Sequence, residues 1–93
     1  MDILWTPTAK ETYMYVLDYL EQVWGDKYVS NFIVNTERTL KLISKYPAIY
    51  ELIPNLADVR KAVLHKNCSF LYRVKNETIE LLVFWDTRQE PFQ

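Results

Sequence analysis

Five cations, Arg60, Lys61, Lys66, Arg73 and Lys75, fall between residues 58 and 76, where Asp58 is the single acid. A cluster of this kind can hold an anionic partner, either nucleic acid or an acidic protein segment. It can equally guard strand edges against aggregation. A further cation, Arg88, follows the apolar run Leu81 to Trp85 within Phe84-Trp85-Asp86-Thr87-Arg88-Gln89-Glu90-Pro91. A guanidinium at the end of a sheet can reach across neighbouring strands or close an ion pair with Asp86 or Glu90. His65 and Cys68 could be imagined as a base and a thiolate, but their spacing in one turn does not aim them at each other and no third group orients them. A free cysteine is ordinarily a small hydrophobe. Asp18 and Glu21 read as solvated carboxylates of a helix rather than an acid–base couple. Tyr13, Tyr15 and Tyr19 lack the interleaved cations of a base-stacking surface and read as packing residues.

These groups must be positioned by a small chain. Its 93 residues are 49% apolar, so a single domain spanning 1–93 should bury roughly two thirds of its unfolded surface. Eleven Lys and Arg against twelve Asp and Glu give a net charge of −1, which is not the balance of a general polycation. Gly25 is the only glycine, so the glycine-rich loops that let backbone approach a dinucleotide or a nucleotide phosphate are excluded. One His and one Cys cannot furnish a four-ligand zinc site or an intramolecular disulfide. Neither a metal nor another cofactor is expected. The longest fully apolar run, Leu81 to Trp85, falls far short of the ~20 residues that span a bilayer, so no membrane partner and a cytoplasmic location are expected.

Apolar Ile3-Leu4-Trp5 predicts a short strand running into a helix, with Thr6 as cap and Pro7 as first helical residue, or with Thr8 and Glu11 as a capping box. Tyr13, Val16, Leu17, Leu20 and Val23 or Trp24 mark the buried stripe of that helix. Gly25 should adopt a left-handed conformation at its end, and Asp26 should cap a second helix. Val29, Phe32, Ile33, Leu40 and Ile43, with Thr36 between, are its stripe, and Pro47 stops it near Tyr46. Residues 48–56 read as an irregular connection. Val59 to Leu64, Ser69 to Lys75 and Thr78 to Trp85 alternate as strands of two successive hairpins. The last is apolar on both faces, as a central strand is. Strict alternation would send Leu81, Val83 and Trp85 to one side and Leu82 and Phe84 to the other. The fold expected is α+β in the order β-α-α-β-β-β, a helical hairpin on one face of a small, mainly antiparallel sheet. The uncovered face should be an apolar patch rimmed by Arg60, Lys61, Arg73 and Arg88.

Thr-Pro-x-Ala after a strand, Leu20-Glu21-Gln22-Val23-Trp24-Gly25, Asp58-Val59-Arg60-Lys61, Phe70-Leu71-Tyr72-Arg73-Val74 and the ending Phe84 to Pro91 together resemble toxins of the RelE/ParE superfamily, the ending pointing to the ParE-like branch. The resemblance spans nearly the full chain. It implies a small bacterial toxin silenced by a cognate antitoxin protein with which it forms a hetero-oligomer. ParE-like members poison DNA gyrase, and RelE-like members cut messenger RNA on the ribosome. By the resemblance Arg88 matches a basic residue after the last strand of the nucleases, and Arg60 lies close to one of their strand lysines. A second lysine would fall at Ala62 and an arginine at Ser69, while Phe92 cannot replace their terminal tyrosine. The expectation is a ParE-like gyrase inhibitor, not an enzyme, with Arg60, Lys61, Arg73, Trp85 and Arg88 as the binding surface. The alternatives are an endoribonuclease using Arg60, Lys61, Arg73 and Arg88, and an inactive member that binds antitoxin only.

Overall fold

The computed structural model describes residues 1–89. Residues 90–93 lie outside the described residues, and with them the Glu90 alternative for Arg88 and the position of Phe92. The elements are β1 (Asp2–Trp5), α1 (Pro7–Trp24), α2 (Asp26–Lys45), β2 (Val59–His65), β3 (Cys68–Lys75) and β4 (Thr78–Asp86), in the expected succession. The sheet order is β1-β4-β3-β2, with β1 parallel to β4 and the other neighbours antiparallel. Both helices pack on one face of it.

Thr6 is the cap that starts α1, since its hydroxyl accepts the Ala9 amide at 3.2 Å and Pro7 supplies the first helical residue. The same hydroxyl donates to the Leu81 carbonyl at 2.6 Å, joining helix start to sheet. The buried stripe of α1 is Ala9, Thr12, Val16 and Leu20, with Tyr13 and Leu17 packed beside it. It ends there: Val23 and Trp24 are each 53% exposed, contrary to the helical spacing that includes them. Trp24 instead stacks on Tyr28 of α2, with ring centroids 5.5 Å apart. The buried residues of α2 are Phe32, Thr36, Thr39 and Ile43. Its last residue precedes Tyr46, as Pro47 requires.

Gly25 ends α1 and begins α2 at once. Its φ of 92° is positive as expected, but its ψ of 175° is extended rather than left-handed helical. That region is essentially closed to residues with a side chain. Asp26 does not cap α2: Gly25 holds that position with no side-chain bond, and Asp26 is the first helical residue, where its charge favours the helix dipole. Nothing lies within 4 Å of where a Cβ on Gly25 would stand, so any cost of substitution is backbone strain alone.

Two departures from regular alternation shape the sheet. Leu71 pairs with Val83 but Tyr72 with Leu81, which leaves Leu82 as the extra residue of a β-bulge. The bulge resets the parity of β4, so Leu81 and Phe84 both face the helices and are fully buried. Val83 and Trp85 turn to the other side. Leu81 is thus separated from Val83 and Trp85, correcting the strict two-residue alternation. Residues 48–56 are also less irregular than expected. Leu52 bridges Arg60, the Ile53 amide donates to Val59 and the Lys61 amide donates to Glu51, so the segment pairs with the outer edge of β2. The Asn76-Glu77 turn between β3 and β4 has φ values of 51° and 62°, the positive pair of a two-residue type I′ hairpin.

The core is aromatic around Phe84, whose ring lies 4.8 Å from Tyr13, 4.8 Å from Phe70 and 5.3 Å from Trp5. Pairing of β1 stops at Trp5 opposite Leu81, and beyond it the Phe84 amide donates to the buried Thr12 hydroxyl at 2.9 Å. Thr12→Val keeps the shape and removes that acceptor, so it should cost about 1–3 kcal/mol in denaturant unfolding while Thr12→Ser restores most of it. Gly25→Val should cost about 1–3 kcal/mol by the same measurement, with no change in core packing.

Candidate functional site

Alternation in β3 sends Phe70 and Tyr72 into the core and Leu71 and Arg73 to the opposite, open face. Across the ladders Lys61 pairs with Leu71 and Leu71 with Val83, while Ser69 pairs with Trp85. The open face therefore carries a half-buried apolar strip, Leu71, Val83 and Trp85, that no helix covers. The Lys61 ammonium lies 5.7 Å from the centre of the Trp85 ring, a cation–π contact that holds the charge over the strip. Arg73 stands directly opposite Glu80, which in turn pairs with Leu4 of β1.

The other two predicted cations do not join this face. Arg60 pairs with Tyr72 on the helix side, and its Nη1 donates to the carbonyls of Tyr50 at 2.7 Å and Ala48 at 3.4 Å. Its guanidinium is used to hold the connection that follows α2, where the Tyr72 hydroxyl also donates to Pro47 at 2.7 Å. Arg88 sits beyond the end of β4 on the helix side, 5.7 Å from the Trp24 ring centre. Of the five residues expected to form one binding surface, Lys61, Arg73 and Trp85 share the open face, and Arg60 and Arg88 lie elsewhere. Ala62 is fully buried, and Ser69 is 7% exposed.

Arg88 is bound where the sequence offered Asp86 as one choice. Asp86 Oδ1 accepts the Arg88 backbone amide at 2.8 Å and its Nε at 2.9 Å, and Oδ2 accepts Nη2 at 2.6 Å. The carboxylate is fully buried and the guanidinium is 23% exposed. Burial alone pushes the Asp86 carboxyl up, but the Arg88 side chain, its amide and its charge, helped by His65, hold it below the usual range. The Asp86 bond in turn raises Arg88. Beside this pair is a groove of about 370 Å³ lined by Tyr28, Asn31, Phe32, Asn35, His65 and Arg88. Asn35 donates to the Leu64 carbonyl at 2.7 Å and fixes one wall to β2. Sequence reasoning did not find this groove; the spacing of Tyr28, Asn31, Phe32 and Asn35 along one helical face was its only signal.

The nucleophile reading fails on geometry and on charge. The Cys68 thiol is pushed up to about 12, first by burial and then by the Asp86 carboxylate. The His65 Nδ1 accepts the Asn67 amide at 3.2 Å within its own turn. Asp18 and Glu21 are both exposed on α1, and Tyr13 is in the core while Tyr15 faces outward, so these tyrosines form no common platform.

The sequence matches no protein-family model and no curated protein. Solved structures match in fold. The chromosomal ParDE TA system from P. aeruginosa superposes with a TM-score of 0.77 at 18% identity, covering 95% of this chain and 97% of that one. The YoeB/ParE toxin from Agrobacterium tumefaciens gives 0.67 at 12% identity, over 92% and 98%. A heterotetrameric YoeB-YefM toxin-antitoxin complex from Staphylococcus aureus gives 0.61 at 18%, over 89% and 92%. The chain has the RelE/ParE-like fold.

Because the folded state lowers the pKa of Asp86, the pair stabilises the protein above the ordinary carboxylate value near 3.8 and loses that contribution as pH falls below it. Arg88→Ala should cost about 2–4 kcal/mol at neutral pH by leaving a buried carboxylate without its partner. Its unfolding free energy should fall less steeply below pH 4 than that of the wild type, read from urea titrations at several pH values.

Proposed function

We propose that this chain is the toxin of a bacterial type II toxin–antitoxin pair, acting in the ParE manner by protein contact with DNA gyrase and neutralised by its cognate antitoxin. The fold likeness to a ParDE system and to YoeB-YefM supports the toxin role. The observation that carries the ParE-like reading is the dispersal of the cations. Cleavage of a phosphodiester needs several positive or hydrogen-bonding groups converging on one phosphate. Here Arg60 is bound to loop carbonyls, Arg88 to Asp86, and of these four candidate cations two, Lys61 and Arg73, share a face. The positions where the resemblance expected further cations hold a buried alanine and a buried serine.

The Leu71–Val83–Trp85 strip with Lys61 and Arg73 beside it fits protein contact instead. Aromatic anchors flanked by cations concentrate binding energy in protein interfaces, and an acidic, amphipathic antitoxin segment would meet both the apolar strip and the charges. The same face serves the target when the antitoxin is absent. Purified protein should inhibit gyrase supercoiling of plasmid DNA and leave messenger RNA on translating ribosomes uncut. Lys61→Glu with Arg73→Glu should abolish the inhibition, with the fold retained by circular dichroism. Site-specific cuts at the A-site codon would overturn this reading.

A further inference from the structure

The outer face of α2 carries a line of charge that neither the open sheet face nor the groove uses. Lys27, Asn31, Val34, Arg38, Lys41 and Lys45 recur at alternating steps of four and three residues, and all six are exposed. At 1.5 Å per residue the line runs about 27 Å along the helix. The two acids of α2, Asp26 and Glu37, fall off the line, roughly a quarter turn away at 100° per residue. Among the described residues none of Lys27, Arg38, Lys41 and Lys45 forms an ion pair. Around the last three cations, with Leu42 and Ser44, the surface opens into a depression of about 600 Å³.

The chemistry of the line selects its occupant. Alternating steps of four and three make the seam along which one rod meets another, but a helical partner requires apolar residues at those positions. Here only Val34 is apolar, so the line supplies charge without apolar area. It has no aromatic ring on which unpaired bases could stack. Asn31 is its only neutral hydrogen-bonding side chain, too few to read the 2′-hydroxyls by which proteins grip duplex RNA. What such a line can do is neutralise a regular row of negative charges on a stiff rod, and duplex DNA presents one charge per ~1.7 Å of its axis. We propose that the outer face of α2 docks on the phosphate backbone of duplex DNA through Lys27, Arg38, Lys41 and Lys45, without reading base sequence. The surface is separate from the Lys61–Trp85 face, so it stands or falls independently of gyrase inhibition.

Fluorescence anisotropy of the full chain with a labelled, arbitrary-sequence DNA duplex of about 20 base pairs tests this between about 50 and 200 mM salt. Binding should be micromolar at the low end. The logarithm of the binding constant should fall against that of salt with a slope of about −3 to −4, four phosphates at ~0.9 each. Lys41→Gln with Lys45→Gln, and separately Lys27→Gln with Arg38→Gln, should each reduce the slope by about 2 and weaken binding at least tenfold, with circular dichroism melting unchanged. Lys61→Gln with Arg73→Gln should leave slope and affinity as in the wild type. No binding at the lowest salt, an unchanged slope in both α2 variants, or an equal loss from the open-face variant would overturn the proposal. So would tighter binding to duplex RNA of the same length. Equal competition by poly-glutamate at matched charge would mark the face as a site for acidic protein and overturn it as well.

Discussion

The backbone of β4 must find hydrogen-bond partners on both sides, and β1 is too short to provide them. Pairing with β1 ends at Leu81, yet β4 continues to Asp86 through the most buried part of the molecule. A buried amide without an acceptor is costly enough to rule out most arrangements of so small a domain. The first helix solves this with hydroxyls. Thr6 donates to the Leu81 carbonyl, and Thr12 accepts from the Phe84 amide while donating to Thr8 at 2.7 Å. At Leu81 the Thr6 amide also donates to the carbonyl, at 3.3 Å, whereas at Phe84 α1 completes the sheet with a side chain where a strand would have used backbone. Its axis is tied to β4 at two points, and the aromatic cluster of Trp5, Tyr13, Phe70 and Phe84 closes around those ties.

That attachment divides the molecule's charges. With both helices on one face, the other face of β3 and β4 is left to Leu71, Val83, Trp85, Lys61 and Arg73, and the outer side of α2 to a separate row of cations. The bulge at Leu82 sharpens the division, because it turns Leu81 and Phe84 inward together and leaves Val83 and Trp85 out. Asp86, next to turn inward, is then buried, and it draws Arg88 back over Trp24 and away from the open face. One inserted residue thus decides which side of the protein the last cation serves.

The order of elements, their periods and the central place of β4 were legible in the sequence because each rests on local spacing. Thr6 with Pro7, the Pro47 stop and the Asn76-Glu77 turn are likewise local signals. What the sequence did not disclose depends on contacts made at a distance. The bulge at Leu82 has no compositional mark, since Leu81, Leu82 and Val83 are alike in apolarity. Trp24 fits the helical stripe by spacing, but the chain turns at Gly25 before the sheet reaches it, and a stack on Tyr28 under Arg88 replaces burial. Arg60 and Lys61 are adjacent and equally basic, yet strand alternation puts them on opposite faces. The carbonyls that bind Arg60 come from a connection whose pairing with β2 could not be read from residues 48–56. Thr12 carries no mark in the sequence that sets it apart, and its role appears only once β1 is seen to end short.

The pairing of the first strand with the last governs how the protein comes into being during synthesis. Thr6 and Leu81, bonded through side chain and backbone, are 75 residues apart, and among the described residues β1 pairs with no other strand. The helical hairpin and the β2–β3 hairpin rest on contacts near in sequence and can assemble early, but the central strand is the last of the described elements to be synthesised. Closing so large a loop makes this the slow step of folding. Until β4 has left the ribosome, Trp5 and Tyr13 have no Phe84 to pack against, and the Leu71 strip has no Val83 or Trp85 beside it. A nascent chain that has not yet delivered β4 thus lacks the finished open face, and that face becomes competent to bind a partner only once β4 has joined the sheet.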